Sequence, residues 1–509
     1  MKYDHIVVGA GSAGATIATR LSEDSNRSVL LLEAGPDYPK IEQLPPEVKQ
    51  GYGSNIDIWT SSHNWQFTGV STETAIAPMR VPRGKVTGGT SAINAQMFIR
   101  GIPEDYDSWK SAGNDQWSYE QCLPYFRKLE NDLDYVDDFH GNEGPMVARR
   151  WQPQDWNPDQ KAFYESSREY GFPDCHDHNN PDTTGVGSLA FNNIDGVRWS
   201  TSIAYLSIAR HRLNLTIKPN CHALSLIFQG MRAIGVRVES SGEIFEVFGE
   251  EIILSGGSIG SPQILMLSGI GPASHLESLN IPIINDLPGV GQNLRDHPNV
   301  WIDWKVQDNY RQIQEKIEPF SQMALRYTAS GSDMKNDMCV LMASKNRDIP
   351  GIIRMIGVIN LALSSGEIKL QTSNPYQQPN LYYNFLDHPE DLRRLRETVR
   401  ICVEMGSSDN FKEIIKSLVS PSEKIVDDDE ELDKWMKQTV NTGHHISGTC
   451  KMGISTDHMS VVDQYGQVHG LDSLRVVDAS IMPDCPRANT NVTTIMIAEK
   501  IADHIRDNK

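Results

Sequence analysis

VVGAGSAGATIATRL, Val7 to Leu21, with VLLLEAG, Val29 to Gly35, close behind it, decides the fold. His5 to Val8 reads as a buried strand, and Ala15 to Leu21 has helical composition. Between them Gly9, Gly11 and Gly14 form G-x-G-x-x-G, with Ser12 and Ala13 filling the turn. Gly9 permits the tight turn, Gly11 lets backbone approach a pyrophosphate, and Gly14 lets the helix pack on the strand. The helix N-terminus then offers free N–H groups and partial positive charge to phosphates. Glu33 closes a second apolar strand 19 residues after Gly14, followed by Ala34, and is placed to accept hydrogen bonds from a ribose diol. An acid there, in place of an arginine, disfavours a 2′-phosphate and hence NADP. FAD and NAD both remain.

A chain of 509 residues is long enough for two or three domains and a large core. Its formal net charge of -19 argues against a nucleic-acid partner or an anionic membrane surface. The seven cysteines, at 122, 175, 221, 339, 402, 450 and 485, are scattered and contain no C-x-x-C, so neither a zinc site nor a disulfide framework is expected. No metal is expected at all. Reduced thiols suit a cytoplasmic location. The first apolar run is broken by glycines and preceded only by Lys2, which fits a nucleotide-binding strand and not a signal peptide. No run of 18 uncharged apolar residues exists, so no membrane span is expected.

No repeats or low-complexity linkers separate the chain into beads, which suggests interleaved domains. Asp37 to Arg80 reads as loop with Trp59 and Trp65, and residues 104–131 as mostly helical. Ala223 to Phe228 and Ala233 to Val238 flank Gln229-Gly230 as a hairpin, which Ile244 to Phe248 extends into a small sheet. Ile252 to Leu254 is read as a separate short strand leading into SGGSIGSPQILMLSGIG. Trp301 to Val306 and Val358 to Leu363 read as strands, Pro389 to Met405 and residues 427–438 as helices. The acidic run Asp427 to Glu431 is read as a solvated helix N-terminus. Ser473 to Pro483 reads as a strand ending at Asp478. The helix after it buries Ile495, Ala498, Ile501, Ala502 and Ile505, with Thr493 or Asn491 as its N-cap. The expected fold class is α/β: a Rossmann-like nucleotide domain with an interleaved α+β substrate domain, an antiparallel sheet flanked by helices. Residues 1–155, 195–299 and 441–509 are assigned to the first, 156–194 and 300–440 to the second.

Four stretches together resemble the glucose–methanol–choline (GMC) oxidoreductases, a family of FAD-dependent alcohol oxidases and dehydrogenases. They are GAGSAG with Glu33; GKVTGGTSAINAQMFIRG, Gly84 to Gly101; GSIGSPQILMLSGIG, Gly257 to Gly271; and HISGTCKMG, His445 to Gly453, with VVDASIMPDCPRANTNVTTIMIAEK, Val476 to Lys500. The likeness runs from residue 4 to about 505 and is weakest between 300 and 440. It implies that the nucleotide is FAD. Thr87 departs from the aliphatic residue usual in the first signature. Some relatives attach FAD covalently through a histidine just before the signature's asparagine. Here that place is Ile93, which implies non-covalent FAD.

The resemblance also assigns roles. His445, opening H-x-x-G-T, takes the hydroxyl proton of an alcohol while the carbinol hydride passes to flavin N5. Asn489 orients the same oxygen and stabilises its developing charge. Gly9, Gly11, Ser12, Ala13, Gly14, Glu33 and Ala34 bind the cofactor, joined by Gly88, Gly89, Thr90 and Asn94 under the isoalloxazine. Ala95 and Met97 are edge contacts, Ala223 offers its backbone to adenine, and Asp478 and Ala479 approach the ribityl and pyrophosphate. Asn491 supports the pyrimidine ring. Val86, Met452 and Phe98 are read as packing, and Asp296, His297 and Pro298 as a structural turn. His444 should point away from its neighbour, since side chains alternate along extended backbone, leaving it behind the site or against substrate. The sequence looks most like the branch acting on furanic, benzylic or similar activated primary alcohols (5-hydroxymethylfurfural oxidase, aryl-alcohol oxidase). Choline-type dehydrogenases are also close in pattern. A hydroxynitrile lyase on the same fold is the non-redox alternative, and a light-driven fatty-acid decarboxylase a further one. The expected partners are a small alcohol and either O2 or another electron acceptor.

Overall fold

The computed structural model describes residues 2–51, 58–310, 321–345 and 349–507. In chain order, the nucleotide-side elements begin with β1 (Lys2–Val8), α1 (Ser12–Leu21), β2 (Val29–Leu32), α2 (Pro103–Ser111) and α3 (Tyr119–Leu129). Then follow α4 (Pro158–Glu169), β3 (Gly185–Ser188), β4 (Leu215–Lys218), β5 (His222–Gln229), β6 (Arg232–Ser240), β7 (Glu243–Leu254) and α5 (Gly257–Leu267). The next strands are β8 (Pro298–Val306), β9 (Met323–Tyr327), β10 (Met338–Ala343) and β11 (Ile352–Ile359). The chain finishes with α6 (Pro389–Gly406), β12 (Ile415–Ser420), α7 (Asp429–Thr439), β13 (Asn441–Thr442), β14 (Leu474–Val476) and α8 (Thr490–Asp507).

Two seven-stranded sheets carry the molecule. The first runs β4-β2-β1-β7-β6-β5, with β14 also paired to β7. β4, β2, β1, β7 and β14 are parallel, in register His5↔Val29 and Ile6↔Ile252. The apolar runs Ile6–Val8, Val29–Leu32 and Ile252–Leu254 are buried on both faces, as central parallel strands require. The hairpin β5–β6 forms as expected, but Ile244–Phe248 and Ile252–Leu254 are one strand, β7. Its first half pairs antiparallel with β6 and its second half parallel with β1. The small sheet is therefore the edge of the main one.

The second sheet, β12-β8-β11-β10-β9-β3 with β13 on β8, is antiparallel throughout. Period-2 alternation splits its residues. Val300, Ile302, Leu325, Val340, Ile353 and Met355 are buried on the face that α6 covers, and Tyr327 Oη meets Thr398 Oγ1 of α6 at 2.7 Å. β11 ends at Ile359, earlier than the expected Leu363, because Asn360 and Leu361 turn to bond the Asp337 carbonyl. The Ser473–Pro483 run is strand only at Leu474–Val476. Asp478 then caps a 3₁₀ turn at Ala479–Ile481 by accepting the N–H of Ser480. α7 starts at Asp429, capped by Asp428, which accepts the N–H groups of Glu430 and Glu431.

α8 lies on α1 and α3. The fully buried Glu499 receives Arg20 of α1 at 2.8 Å and the Tyr205 hydroxyl at 2.8 Å. Both chain ends thus close over the first sheet. α8 begins at Thr490, so Asn491 and Thr493 lie in its first turn and neither is the N-cap. Thr493 instead meets the Tyr106 hydroxyl at 2.9 Å.

Gly9 sits at φ +97°, a conformation that favours glycine, and a Cβ on Gly14 would lie 1.8 Å from the Gly9 carbonyl oxygen. Gly14→Ala is therefore expected to cost about 1–3 kcal/mol by overpacking and to lower the melting temperature of the apoprotein. An unchanged melting temperature would contradict the packing of α1 on β1.

Candidate active site

One cavity of about 1250 Å³ runs from the C-terminal ends of β1 and β2 to the open face of the second sheet. That exceeds the ~300–1,000 Å³ of a pocket for one drug-sized ligand. Three helices begin on its wall. Gly11 and Ser12 open α1, Gly256 and Gly257 open α5, and Thr490 and Asn491 open α8. α1 has no side-chain cap, so its first-turn N–H groups are left for a ligand, whereas at α5 the Gly257 N–H is taken by Asp478. Converging helix dipoles favour negative charge at this end of the cavity.

Glu33 is buried, and its carboxylate accepts the N–H groups of Ala10 at 2.9 Å and Gly35 at 2.9 Å. Burial pushes its carboxyl up to about 7, against the pull of those two bonds. Of the other expected cofactor contacts, Gly9, Gly11, Ser12, Ala13, Ala34, Gly89, Thr90, Asn94, Ala95, Met97, Ala223, Asp478, Ala479 and Asn491 all line the cavity. Gly14 and Gly88 stand behind it. Gly14 packs on Gly9, and Gly88, at φ +92°, donates its N–H to the Ala10 carbonyl at 2.7 Å. A Cβ on Gly89 would lie 2.6 Å from Gly11 Cα, so the two glycine loops touch backbone to backbone. Asp478 accepts the Ser261 hydroxyl at 2.6 Å and the Gly257 N–H at 2.9 Å, tying β14 to the start of α5. Asn491 accepts the Ser12 hydroxyl at 2.6 Å, and its Nδ2 has no protein partner.

At the far end, His445 Nε2 lies 2.8 Å from Asn489 Nδ2, and both residues line the cavity. The amide nitrogen only donates, so Nε2 carries the lone pair and the ring proton sits on Nδ1. His445 Nδ1 lies 2.8 Å from His297 Nδ1 and donates to it. Burial, with repulsion from His297, His444 and Arg83, holds His445 well below the usual imidazole range. It is neutral at neutral pH, with Nε2 free to accept a proton.

A buried carboxylate holds this arrangement. Asp296 accepts the backbone N–H of His297 at 2.7 Å and of His445 at 2.8 Å, and the Thr442 hydroxyl. Reading Asp296 and His297 as a structural turn holds for the first residue; the second touches the His445 ring. Neither contact is visible locally, because 148 residues separate the two histidines. His444 is a correction as well. Its φ of +65° breaks the extended alternation, so its ring also borders the cavity, 5.7 Å from the Trp59 ring. Arg83 binds the His444 carbonyl at 3.1 Å.

The floor beyond this pair is the open face of the second sheet. Its rows are Arg326–Cys339–Val358–Asn299 and Ala324–Leu341–Ile356–Trp301. Sequence reasoning missed all eight residues, since alternation marks one face of a strand as open without saying what it faces.

Fold and site define a dinucleotide-binding α/β oxidoreductase. The N- and C-terminal family models described as GMC oxidoreductase match residues 3–299 and 362–498, and the chain belongs to that family of FAD-dependent alcohol oxidoreductases. An oxygen-dependent choline dehydrogenase of Photobacterium profundum is 34% identical, over 99% of this chain and 93% of its own. Among solved structures, pyridoxine 4-oxidase from Mesorbium loti is similar with a TM-score of 0.92 and 26% identity, covering 100% of both chains. A fungal aryl-alcohol oxidase shares the fold at TM-score 0.86 and 22% identity, covering 99% of each. The uncapped start of α1, the unpartnered Asn491 Nδ2 and the touching Gly11 and Gly89 fit FAD.

Glu33→Ala removes the buried acceptor at the strand end. It is expected to weaken FAD binding roughly tenfold to a hundredfold, read as flavin lost from the holoenzyme on dilution and desalting. Full retention would remove Glu33 from the cofactor site.

Proposed function

We propose that this protein oxidises a small activated primary alcohol, of the furanic or benzylic kind, to the aldehyde. The observation that supports it most is the His445 Nε2–Asn489 Nδ2 pair at 2.8 Å on the cavity wall. Bound FAD supplies the hydride acceptor. The residues supply the rest. A hydroxyl entering between the two side chains donates to His445 Nε2 and accepts from Asn489 Nδ2. His445 takes the proton as the carbinol carbon gives up hydride, and Asn489, which is no base near neutral pH, holds the developing negative charge. His297 receives the His445 Nδ1–H and so keeps the other nitrogen available.

Gly9, Gly11, Ser12, Ala13, Glu33 and Ala34 hold the ADP half of FAD, with Ala223 beside them, Gly14 packing the helix and Asp478 and Ala479 at the central phosphates. Thr90, Asn94, Ala95, Met97 and Asn491 hold the flavin half, on a loop shaped by Gly88 and Gly89. FAD is held without a covalent link, because Ile93 has no nucleophile. All seven cysteines are free and buried, which suits the reducing cytoplasm. Among the described residues no helix is long and apolar enough to cross a membrane.

The choline dehydrogenase relatives favour a second reading, oxidation of choline. A hydroxynitrile lyase would cleave cyanohydrins and leave the flavin oxidised. Anaerobic mixing of the holoenzyme with benzyl alcohol, furfuryl alcohol and choline separates these, because alcohol oxidation bleaches the flavin absorbance. No bleaching, with cyanohydrin cleavage, would overturn the proposal.

His445→Ala is expected to slow flavin reduction by roughly a hundredfold or more, and Asn489→Ala by about a hundredfold, near 3 kcal/mol. Both should stay yellow. Turnover that survives His445→Ala would remove it as the base. Acid precipitation should leave all flavin in the supernatant; yellow pellet would mean a covalent link.

A further inference from the structure

Arg326 is the unexplained charge in this cavity. It projects from β9 into the row nearest the reacting pair and is only 3% exposed. Its guanidinium donates to three backbone carbonyls, of His178 at 3.1 Å, Arg100 at 3.3 Å and Arg487 at 2.7 Å. Those bonds use three of five N–H groups. All three acceptors are neutral, and among the described residues no carboxylate pairs with it. The two acids its charge reaches are committed elsewhere: Asp105 to Arg487 at 2.7 Å and Asp177 to Arg150 at 2.8 Å. The other guanidinium on the floor is neutralised. Arg354 takes both oxygens of Asp303, at 2.6 and 2.9 Å, and stacks 4.0 Å over Trp301.

A buried cation without a counter-charge is destabilising, and a neutral amide would bind carbonyls without that penalty. The charge implies an anion that is part of the working complex. The rest of the chamber excludes the opposite choice. The carboxylates lining the cavity are Glu33, Glu47 and Asp478, the floor's Asp303 is taken by Arg354, and among the described residues no carboxylate belongs to the two rows around Arg326. A quaternary ammonium needs an aromatic cage and an acid; here it would face Arg326.

We propose that Arg326 binds an anionic substituent of the substrate, making the natural substrate a small primary alcohol that carries a carboxylate. The anion occupies the Arg326–Cys339–Val358–Asn299 row while the carbinol reaches His445 and Asn489. Arg487 fixes the spacing, since its carbonyl anchors Arg326 two residues before Asn489. The apolar Val358, Leu341 and Ile356 pack against the carbon skeleton between the two ends. The assignment rests on the alcohol-oxidation reading and narrows it.

The test uses holoenzyme and matched pairs: 4-(hydroxymethyl)benzoate against benzyl alcohol, 5-(hydroxymethyl)-2-furoate against furfuryl alcohol, 3-hydroxypropanoate against 1-propanol, with choline as the cation. Anaerobic flavin reduction is expected to favour at least one carboxylate over its neutral partner by roughly tenfold or more in kcat/KM, as one charge-assisted hydrogen bond gives. Choline should be poorest. Arg326→Gln should erase that preference mainly through KM, and Arg326→Lys should restore part of it. Benzoate, which cannot react, should perturb the flavin spectrum of the wild type and bind about tenfold more weakly to Arg326→Gln. If the neutral alcohols bleach the flavin and no carboxylate beats its partner, or if choline is best, the assignment is overturned while alcohol oxidation stands. If nothing bleaches the flavin, the function above fails, and the benzoate titration alone decides the anion site. The wild-type series is decisive even if Arg326→Gln does not fold.

Discussion

The carboxylate of Asp296 is the constraint on which the reacting end depends. It gathers two backbone N–H groups and a hydroxyl from two segments far apart in sequence: His297 on one side, Thr442 and His445 on the other. Burial raises its carboxyl above the usual range, and those bonds with the nearby Arg83 charge offset part of the rise. A carboxylate in this place orients a whole turn. With the backbone of His445 fixed, its ring has a donor at one nitrogen and an acceptor at the other, so its tautomer is set before any substrate arrives. That preorganisation is what lets an imidazole act without reorganising during the reaction.

Opposite requirements meet inside one cavity. The dipoles of three helix starts and the free N–H groups of α1 favour negative charge at the nucleotide end. In the proposed reaction the neutral His445 gains a proton at the other. On that reading the two are compatible, since negative charge held at the nucleotide end would also stabilise a His445 imidazolium. Buried Glu499 serves the same geometry from behind. By tying α1 to α8 through Arg20, it holds together two of the three helix starts that face the cofactor site.

The nucleotide half is legible in the sequence because its chemistry is local. Gly9, Gly14 and Glu33 act within 25 residues, and each has a mechanical reason for its identity. β1, β2, the end of β7 and β14 follow from short apolar runs, and the β5–β6 hairpin and α6 from turn and periodicity signals, while β4 at the sheet edge escapes such a reading. What stays hidden is non-local or conformational. β7 reads as two strands because its solvent-facing half alternates and its buried half does not. α8 reads as starting too late, since Thr490 and Asn491 have loop composition although they form the helix's first turn. His444 escapes because a positive φ cannot be read from its neighbours. His297 escapes because only tertiary folding brings it to His445.

Alternation in the second sheet explains why the substrate end is hardest to read and easiest to vary. Val300, Ile302, Leu325, Val340, Ile353 and Met355 are packed into the core under α6, so their size is fixed by close packing. Asn299, Trp301, Arg326, Leu341, Ile356 and Val358, one residue away along the same strands, face an open chamber. A change among the second set alters what the chamber accepts while the first set keeps the sheet in register. Charge placed there is therefore free to follow the substrate without disturbing the fold. Arg326 on this floor is held by three backbone carbonyls and has no carboxylate beside it among the described residues, so its backbone bonds fix the guanidinium while its charge remains for the proposed anionic substituent.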